Sequence, residues 1–296
     1  MTLLADPFAT LTSDVRERFR PQREWSQRRG LLLILAHFLT GAGAGAWIFA
    51  TAWGLPVAAW AGFSLVGFGS LAHLAFLGHP ERFWRMATRL RTSWISRGLV
   101  GMTLFLILAL VYLLLGPAGG QAAAPGQLLL LLSQLAALWI VVYKGFVWGS
   151  SKGIPLWHTP LVPILYICYG LRAGAALLLL LSVLDGAASL AALEVLKLWL
   201  AVSTAVLVLI YLGMMRGSGV TALRSVDLLL FGRVALPFYL GAVLLGLVIP
   251  ILIGGLVLTG TLPSSTLSLM AALSLVGDLA LIYCIARAGL YRPLPA

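Results

Sequence analysis

Charged residues are scarce in this sequence of 296 residues. Asp, Glu, Lys and Arg together make up 10% of the chain, whereas a soluble domain carries about 25%. Hydrophobic residues make up 61%, and a soluble fold of this length has too little interior to hide so much apolar surface. The composition therefore excludes a soluble protein and indicates a chain whose solvent is lipid.

Cysteine is scarce too. The two cysteines, Cys168 and Cys284, both lie inside apolar runs. They provide neither a disulfide framework nor a cysteine-rich cluster site. We therefore expect any iron–sulfur cluster or other metal to lie largely on a partner protein.

Eight apolar runs are each long enough to cross a membrane as a helix, which takes about 20 residues. Glycine, proline and Asp-Gly steps separate them, as expected for turns. A β-barrel is excluded because the runs are continuous rather than alternating. The predicted spans are 30–53, 57–78, 98–116, 126–149, 159–184, 189–215, 234–258 and 264–289.

The predicted fold is thus an all-α, polytopic membrane protein with eight transmembrane helices. A basic segment, residues 1–29, precedes the first helix. Residues 30–149 and 150–296 contribute four helices each. We expect each set of four to form a four-helix bundle.

The basic residues follow this topology. Lys and Arg lie before the first span and after the second, fourth, sixth and eighth, whereas the other connections contain none. The positive-inside rule then places both termini in the cytoplasm. Arg28-Arg29 before the first span resembles a twin-arginine signal. The apolar run that follows is longer than the apolar region of a signal peptide, which has about 7–15 residues. We therefore expect that this span is not cleaved off.

Away from the basic ends of the helices, four charged residues lie inside predicted spans. Arg172 is near the middle of the fifth span and Asp278 near the middle of the eighth, so they are placed to pair across the second bundle. Glu194 and Lys197 are three residues apart on one helix and are placed to pair locally. A charge at mid-bilayer costs about 2.5–3.5 kcal/mol. Both pairs are open to two interpretations, a structural ion pair or a part of a proton path.

Two histidines lie at similar depth on adjacent antiparallel spans. His37 is about 10 Å and His73 about 8 Å from the basic ends of their helices, at 1.5 Å per residue. Imidazole titrates near neutral pH and both donates and accepts hydrogen bonds, which suits a quinone carbonyl. Two alternatives remain: each ring bonds a backbone carbonyl, or the two rings ligate one b-type haem. Tyr143 and Lys144 of the fourth span are further candidates at this depth.

The connection after the second span alternates basic and aromatic residues. It contains Leu77-Gly78-His79-Pro80-Glu81-Arg82-Phe83-Trp84-Arg85 and Arg91-Thr92-Ser93-Trp94-Ile95-Ser96-Arg97. Arg82, Phe83, Arg85, Met86 and Arg89 are expected to share one face of a short interfacial helix. The helix is expected either to anchor the loop at lipid headgroups or to dock a soluble partner through its arginines.

These residues resemble the loop between helices 2 and 3 of the membrane anchor subunits of molybdopterin oxidoreductases. This group includes the dimethyl sulfoxide reductase anchor (DmsC), the sulfite dehydrogenase anchor and the polysulfide reductase (NrfD/PsrC) subunits. A second match is Lys152-Gly153-Ile154-Pro155-Leu156-Trp157-His158-Thr159-Pro160, and a weaker one runs from Gly277-Asp278 to Ala288-Gly289. With eight spans and the glycine-rich run from Gly41 to Gly45, the resemblance covers nearly the whole chain.

The resemblance implies a haem-free subunit of an inner membrane of bacteria or archaea. It would bind quinone or menaquinone as substrate and dock a ferredoxin-like iron–sulfur subunit, which connects to a catalytic subunit with molybdopterin. The chain itself is then non-catalytic or reacts only with quinone. The family often has His or Asp directly before the Leu-Gly pair, at the quinone site, where this sequence has Phe76.

The sequence therefore predicts a quinone site at the cytoplasmic end of the first bundle. His37 and His73 are its predicted ligands, Arg82 and Arg85 shape its mouth or dock the partner, and Tyr143 and Lys144 are secondary candidates. Arg172 and Asp278 are the candidate proton path. Two other functions remain open, a secondary transporter and a passive anchor without its own redox site.

Overall fold

In the computed structural model, which describes residues 19–115, 124–182, 184–185 and 191–293, all eight predicted spans are helices. Each is long and apolar enough to cross a membrane. They are α1 (Gly30–Trp53), α2 (Pro56–Phe76), α3 (Trp94–Leu115), α4 (Ala124–Gly149), α5 (Leu161–Leu181), α6 (Ala191–Arg216), α8 (Pro237–Leu258) and α9 (Thr266–Ala288), while α7 (Val220–Leu230) is a short helix between α6 and α8. The prediction of an all-helical polytopic membrane protein is confirmed.

The turn between α1 and α2 follows from two residues. Gly54 adopts a left-handed backbone with φ of 67° and ends α1, donating its N–H to the carbonyl of Ala50. Only glycine adopts this conformation without a steric cost. Pro56 then begins α2, where its missing N–H is no loss.

Both ends of the described chain lie on the same side of the molecule. Pro21 forms an isolated antiparallel bridge with Leu290, and the backbone N–H of Gln22 donates to the carbonyl of Gly289 at 3.2 Å. We call this the basic side, since the arginine-rich connections lie here. On the opposite side lie the α1–α2 turn, the α8–α9 connection and Asp185 after α5, whose carboxylate accepts a hydrogen bond from the N–H of Val57.

Helix α1 is the central element of the fold and contacts α2, α4, α5 and α9. Its glycines let the neighbours approach: a Cβ on Gly43 would meet the backbone of α2 at Gly62. A Cβ on Gly45 would meet α5 at Gly170 and Gly174. Both glycines belong to the glycine-rich run from Gly41 to Gly45, and small residues at such crossings are typical of membrane helices.

The molecule has two hydrophobic cores among the described residues. They differ in their depth in the membrane more than in which half of the chain supplies their residues. One core gathers residues near the basic side, including Trp148, Tyr166 and Ile285. The other gathers residues nearer the opposite side, including Trp47 and Leu178. Each core draws on both the first and the last four spans, so the packing does not separate the chain into two independent bundles.

Two short helices lie on the basic side. Pro80–Arg89 is a 3₁₀ helix, at the place where the sequence predicts an interfacial helix. Helix α7 lies in a connection for which the sequence analysis predicted no helix. Its buried face, which includes Ala222, Val226 and Leu229, packs into the core near the basic side.

Candidate functional site

A cavity of about 740 Å³ lies between the first four spans and the 3₁₀ helix. It extends from the basic side past the middle of α2 and α3, as far as Phe63 and Leu110, and its lining is largely apolar. Among the residues that line it are His37 of α1, His73 of α2, Tyr143 of α4, and the apolar side chains of Phe63, Leu74, Phe76, Leu99, Met102 and Leu106.

The cavity opens sideways between α2 and α3. Three residues of its lining are largely exposed, namely Phe68 at 62%, Leu71 at 61% and Ile107 at 55%. Because these helices are transmembrane, the exposed apolar side chains face lipid. A hydrophobic molecule can therefore reach the cavity from within the bilayer.

The two predicted histidines, His37 and His73, meet at the wall of this cavity. The centroids of the His37 and His73 rings are 5.2 Å apart, with the ring planes tilted by 56°. The Nδ1 atom of His73 lies 2.9 Å from the carbonyl oxygen of Gly69, which makes Nδ1 the donor and leaves Nε2 as the acceptor of a neutral ring. The alternative of a histidine bonded to a backbone carbonyl thus holds for His73.

His37 is held differently. Its ring lies against the edges of Trp148 and Tyr166, at centroid distances of 5.7 and 6.1 Å. The side chain is buried, and its Nδ1 has no hydrogen-bond partner among the described residues. Buried polar atoms are nearly always hydrogen-bonded, so this unpaired atom is unusual, and the residue itself lines the cavity.

Lys144 and Tyr169 support His37 from behind. The Nζ of Lys144 donates to the backbone carbonyl of His37 at 2.9 Å, and the hydroxyl of Tyr169 donates to the same oxygen at 2.5 Å. Lys144 is fully buried and does not belong to the cavity lining. It therefore positions α1 rather than facing the cavity, whereas its neighbour Tyr143 does line it.

The arginines of the 3₁₀ helix point away from the cavity. Arg82 and Arg85 are exposed and are absent from the lining, to which this helix contributes Phe83 and Met86. Arg82 lies 3.7 Å from the carboxylate of Glu81. The guanidinium of Arg85 lies 5.5 Å from the ring centre of Trp84. Both predicted roles for these arginines, at the mouth of the cavity or in docking a partner, remain predictions.

Some residues that line the cavity were not predicted from the sequence. Trp25, from the segment before α1, lines the cavity. It stacks on Trp157, with centroids 6.0 Å apart. Ser70 and Thr103 add hydroxyls to the lining. No local pattern marks these residues, because helix packing alone brings them to the cavity.

A second polar group lies between α5 and α9, in the middle of the molecule. Arg172 and Asp278 are both fully buried and form the predicted ion pair, with Nε of Arg172 2.9 Å from Oδ1 of Asp278. The other predicted pair is wrong: within the described part of the chain, no salt bridge joins Glu194 and Lys197.

The family of membrane subunits described as "Polysulphide reductase, NrfD" matches residues 28–293, which include all eight spans. The chain belongs to the NrfD family. Membership confirms the resemblance that the two loop motifs indicated, and with it the role of a membrane subunit of an oxidoreductase complex.

Two named proteins are similar to this NrfD-family protein. The polysulfide reductase C chain of Wolinella succinogenes is 26% identical over 247 residues, which cover 76% of this sequence and 78% of that protein. The sulfite dehydrogenase C subunit of Allochromatium vinosum is 30% identical over 108 residues, which cover 33% of each sequence. The aligned part therefore spans a third of the length of the latter relative.

The first family motif lines the cavity near the basic side, and the second packs behind the lining. The first supplies Leu77, Phe83 and Ile95 to the lining. In the second, the indole N–H of Trp157 donates to the carbonyl of Ile285 at 2.9 Å, and its ring stacks on Trp25, which lines the cavity. The motifs therefore shape the same region as the histidines.

Proposed function

We propose that this protein binds a quinone or quinol in the cavity between α1 and α4 and passes electrons between the quinone pool and an iron–sulfur partner. The partner connects in turn to a catalytic subunit that carries molybdopterin. The observation that carries the proposal is the pair of His37 and His73, which meet in a largely apolar cavity that is open to lipid.

The lining fits a quinone as substrate. Aromatic and aliphatic side chains suit its ring and its isoprenoid tail, and ligand sites of this kind have few but precisely placed polar groups. The Nδ1 of His37 lacks a partner, and the Nε2 of His73 is not bonded to the chain in the described structure. Both residues line the cavity, and imidazoles are suited to the quinone oxygens, which gain protons on reduction and lose them on oxidation.

The other candidate residues have supporting roles in this proposal. Tyr143 contacts the substrate from α4, and Lys144 fixes the backbone of His37. Arg82 and Arg85 face outward from the 3₁₀ helix, so they contact the carboxylates of the iron–sulfur partner. The basic side is then the docking side. By the positive-inside rule it is the cytoplasmic side of the inner membrane.

The buried pair of Arg172 and Asp278 belongs to a proton path. A fully buried ion pair is costly to desolvate, and charged residues inside membrane proteins mark ion or proton pathways. Tyr169, three residues before Arg172 on α5, donates to the carbonyl of His37. The pair is thereby linked to the cavity through α5.

The test is purification of the whole complex, followed by quinone extraction and assay of quinol-linked electron transfer. We expect bound quinone, an associated iron–sulfur protein, no haem absorption band from this subunit, and at least about a hundredfold loss of turnover in His73→Ala. His158→Gln is the control, since His158 is exposed and outside the cavity. Unchanged turnover in His73→Ala removes His73 from the site. A complex without quinone favours a passive anchor, and a protein without an iron–sulfur partner favours a transporter.

A further inference from the structure

A groove of about 550 Å³ on the basic side has no part in the proposed quinone site. It lies at the junction of α7 and α8, and no described residue lines both this groove and the quinone cavity. Two of its lining residues, Pro21 and Leu290, form the antiparallel bridge between the two ends of the described chain. We call it the α7–α8 groove, and its walls include Arg23, Arg224 and Arg233.

Arginines dominate the charge of the α7–α8 groove. Arg23, Arg224 and Arg233 line it, whereas its lining contains one carboxylate, that of Asp227. Arg224 and Arg233 are also exposed at the surface of the molecule. A planar guanidinium presents several N–H donors at once and binds phosphate oxygens in pairs. The groove therefore suits a ligand that carries a phosphate group.

The local sequence explains how these side chains come together. Arg224 and Leu228 of α7 and Phe231 at its end are spaced four and three residues apart, so they lie on one face. The other face of this helix is buried in the core near the basic side. Gly232 then allows a tight turn, because a Cβ there would lie 2.8 Å from the Cα of Leu228. The turn brings Arg233 to the same groove as Arg224.

The α7–α8 groove continues onto a surface that faces lipid. Phe231, which lines the groove, is 74% exposed, and Leu236, directly before the membrane-spanning part of α8, is 70% exposed. Because α8 crosses the membrane, apolar side chains exposed along it contact acyl chains. Beyond Leu236 such side chains recur at every fourth residue, namely Leu240, Leu244, Val248 and Leu252. The groove thus lies at headgroup level, above an apolar row that suits an acyl chain.

An anionic phospholipid matches all of these features, whereas other anions match only some. A soluble acidic protein would pair with the arginines but leave the exposed Phe231 and Leu236, at the membrane boundary, without a partner. A free phosphate would fill little of the groove and would not contact α8. In the proposed orientation the basic side faces the cytoplasm, where the leaflet is rich in anionic lipids and basic pockets bind their headgroups.

We infer that the α7–α8 groove binds the headgroup of an anionic phospholipid, with its phosphate against Arg224 and Arg233 and an acyl chain along α8. The inference is independent of the proposed function, since the groove and the quinone cavity share no described residue. The bound lipid contacts both α7 and the segment before α1, which supplies Arg23 to the same groove.

Lipid binding to the intact complex, stripped of lipid in detergent, tests the inference. Native mass spectrometry counts bound dioleoyl phosphatidylglycerol during a titration, and dioleoyl phosphatidylcholine is titrated in parallel. Glycerol phosphate, which has the phosphate but no acyl chains, is added as a competitor. The test variant is Arg224→Gln/Arg233→Gln. Arg216→Gln/Arg292→Gln is the matched control, because it also removes two exposed arginines but neither lines the groove.

We expect wild type and the control to bind phosphatidylglycerol in preference to phosphatidylcholine, and the test variant to bind it at least about tenfold more weakly. Equal binding by the two double variants overturns the inference, and so does equal binding of the two lipids by wild type. Displacement of the lipid by glycerol phosphate would make the groove a site for a soluble anion. Loss of the iron–sulfur partner with unchanged lipid binding would make it a protein-docking surface. Either result also overturns the inference.

A second measurement needs no variant and therefore does not depend on how the variants fold. Phosphatidylglycerol with a diazirine in its acyl chain, close to the ester bond, is irradiated on the wild-type complex. The labelled segments are then identified by proteolysis and mass spectrometry. We expect labels within residues 224–240, which hold the α7 face, the turn and the start of α8. Labels confined to other segments overturn the inference.

Discussion

The rings of His37 and His73 lie 5.2 Å apart although they come from different helices and are held by different contacts. His73 is fixed through Nδ1 by the carbonyl of Gly69 at 2.9 Å. His37 is fixed through its backbone carbonyl, which accepts from Lys144 and Tyr169. One ring is thus oriented by its own bond, while the other lines the cavity with its Nδ1 unpaired among the described residues.

Filling the cavity should block the site without disturbing the fold. A Cβ on Gly67, which lines the cavity, would meet nothing within 4 Å. We therefore expect Gly67→Trp to fold normally, to occupy part of the cavity and to lower quinol-linked turnover by at least about tenfold. Gly255→Trp is the matched control, because Gly255 of α8 also has free space but lies outside the cavity. Equal turnover in the two variants would place the quinone elsewhere.

Adding a single methyl group at Gly41 should disturb the site from behind. A Cβ there would overlap the hydroxyl of Tyr169 and lie 3.1 Å from Nζ of Lys144. Gly41→Ala is expected to break both hydrogen bonds to the His37 carbonyl and to destabilise the protein by about 1–3 kcal/mol. The measurement is thermal unfolding in detergent together with turnover. Gly213→Ala, where the added methyl has free space, should leave both unchanged; a drop in both variants would show a general effect of alanine.

The spans could be predicted from the sequence because the membrane imposes a length and a composition on each helix. All eight predicted runs became helices, and the α1–α2 turn falls at the glycine and proline that indicated it. Helix α7 was missed because it is short and only moderately apolar, with Arg224 and Asp227 among eleven residues. Each core combines residues from the first four and the last four spans. No local sequence pattern indicates this, since it depends on which helices pack together.

The candidate site was predictable in part. The depth of His37 and His73 follows from counting residues along helices, and the pairing of Arg172 with Asp278 follows from the cost of a lone charge in the membrane. The spacing of Glu194 and Lys197, three residues apart on one helix, predicted a pair that does not form. Nζ of Lys197 has no hydrogen-bond partner among the described residues. Helix rotation decides such cases, and the sequence alone does not specify it.

The outward arginines of the 3₁₀ helix should control docking of the partner rather than quinone binding. Reversing the charge in Arg82→Glu/Arg85→Glu is expected to reduce co-purification of the iron–sulfur subunit, and the loss should be larger at low salt, where surface charges act most strongly. Bound quinone should be retained, because neither arginine lines the cavity. Arg216→Glu, an exposed charge at the end of α6, is the control. Lost quinone with an intact complex would instead assign the arginines to the mouth of the cavity.

Variants of the buried ion pair can distinguish a role in stability from a role in proton transfer. Removing one partner, in Arg172→Met or Asp278→Leu, leaves an uncompensated buried charge and is expected to lower the free energy of unfolding by about 3–5 kcal/mol. The double variant Arg172→Met/Asp278→Leu removes both charges and should recover most of that loss, since apolar replacement of a buried pair is often neutral. Unfolding in detergent measures the stability, and a potential-sensitive dye in liposomes measures charge movement during turnover. If the pair carries protons, the double variant is stable but moves no charge. If the pair only fixes the register of α5 and α9, the double variant is stable and moves charge as the wild type does, which would leave the ion pair with a structural role alone.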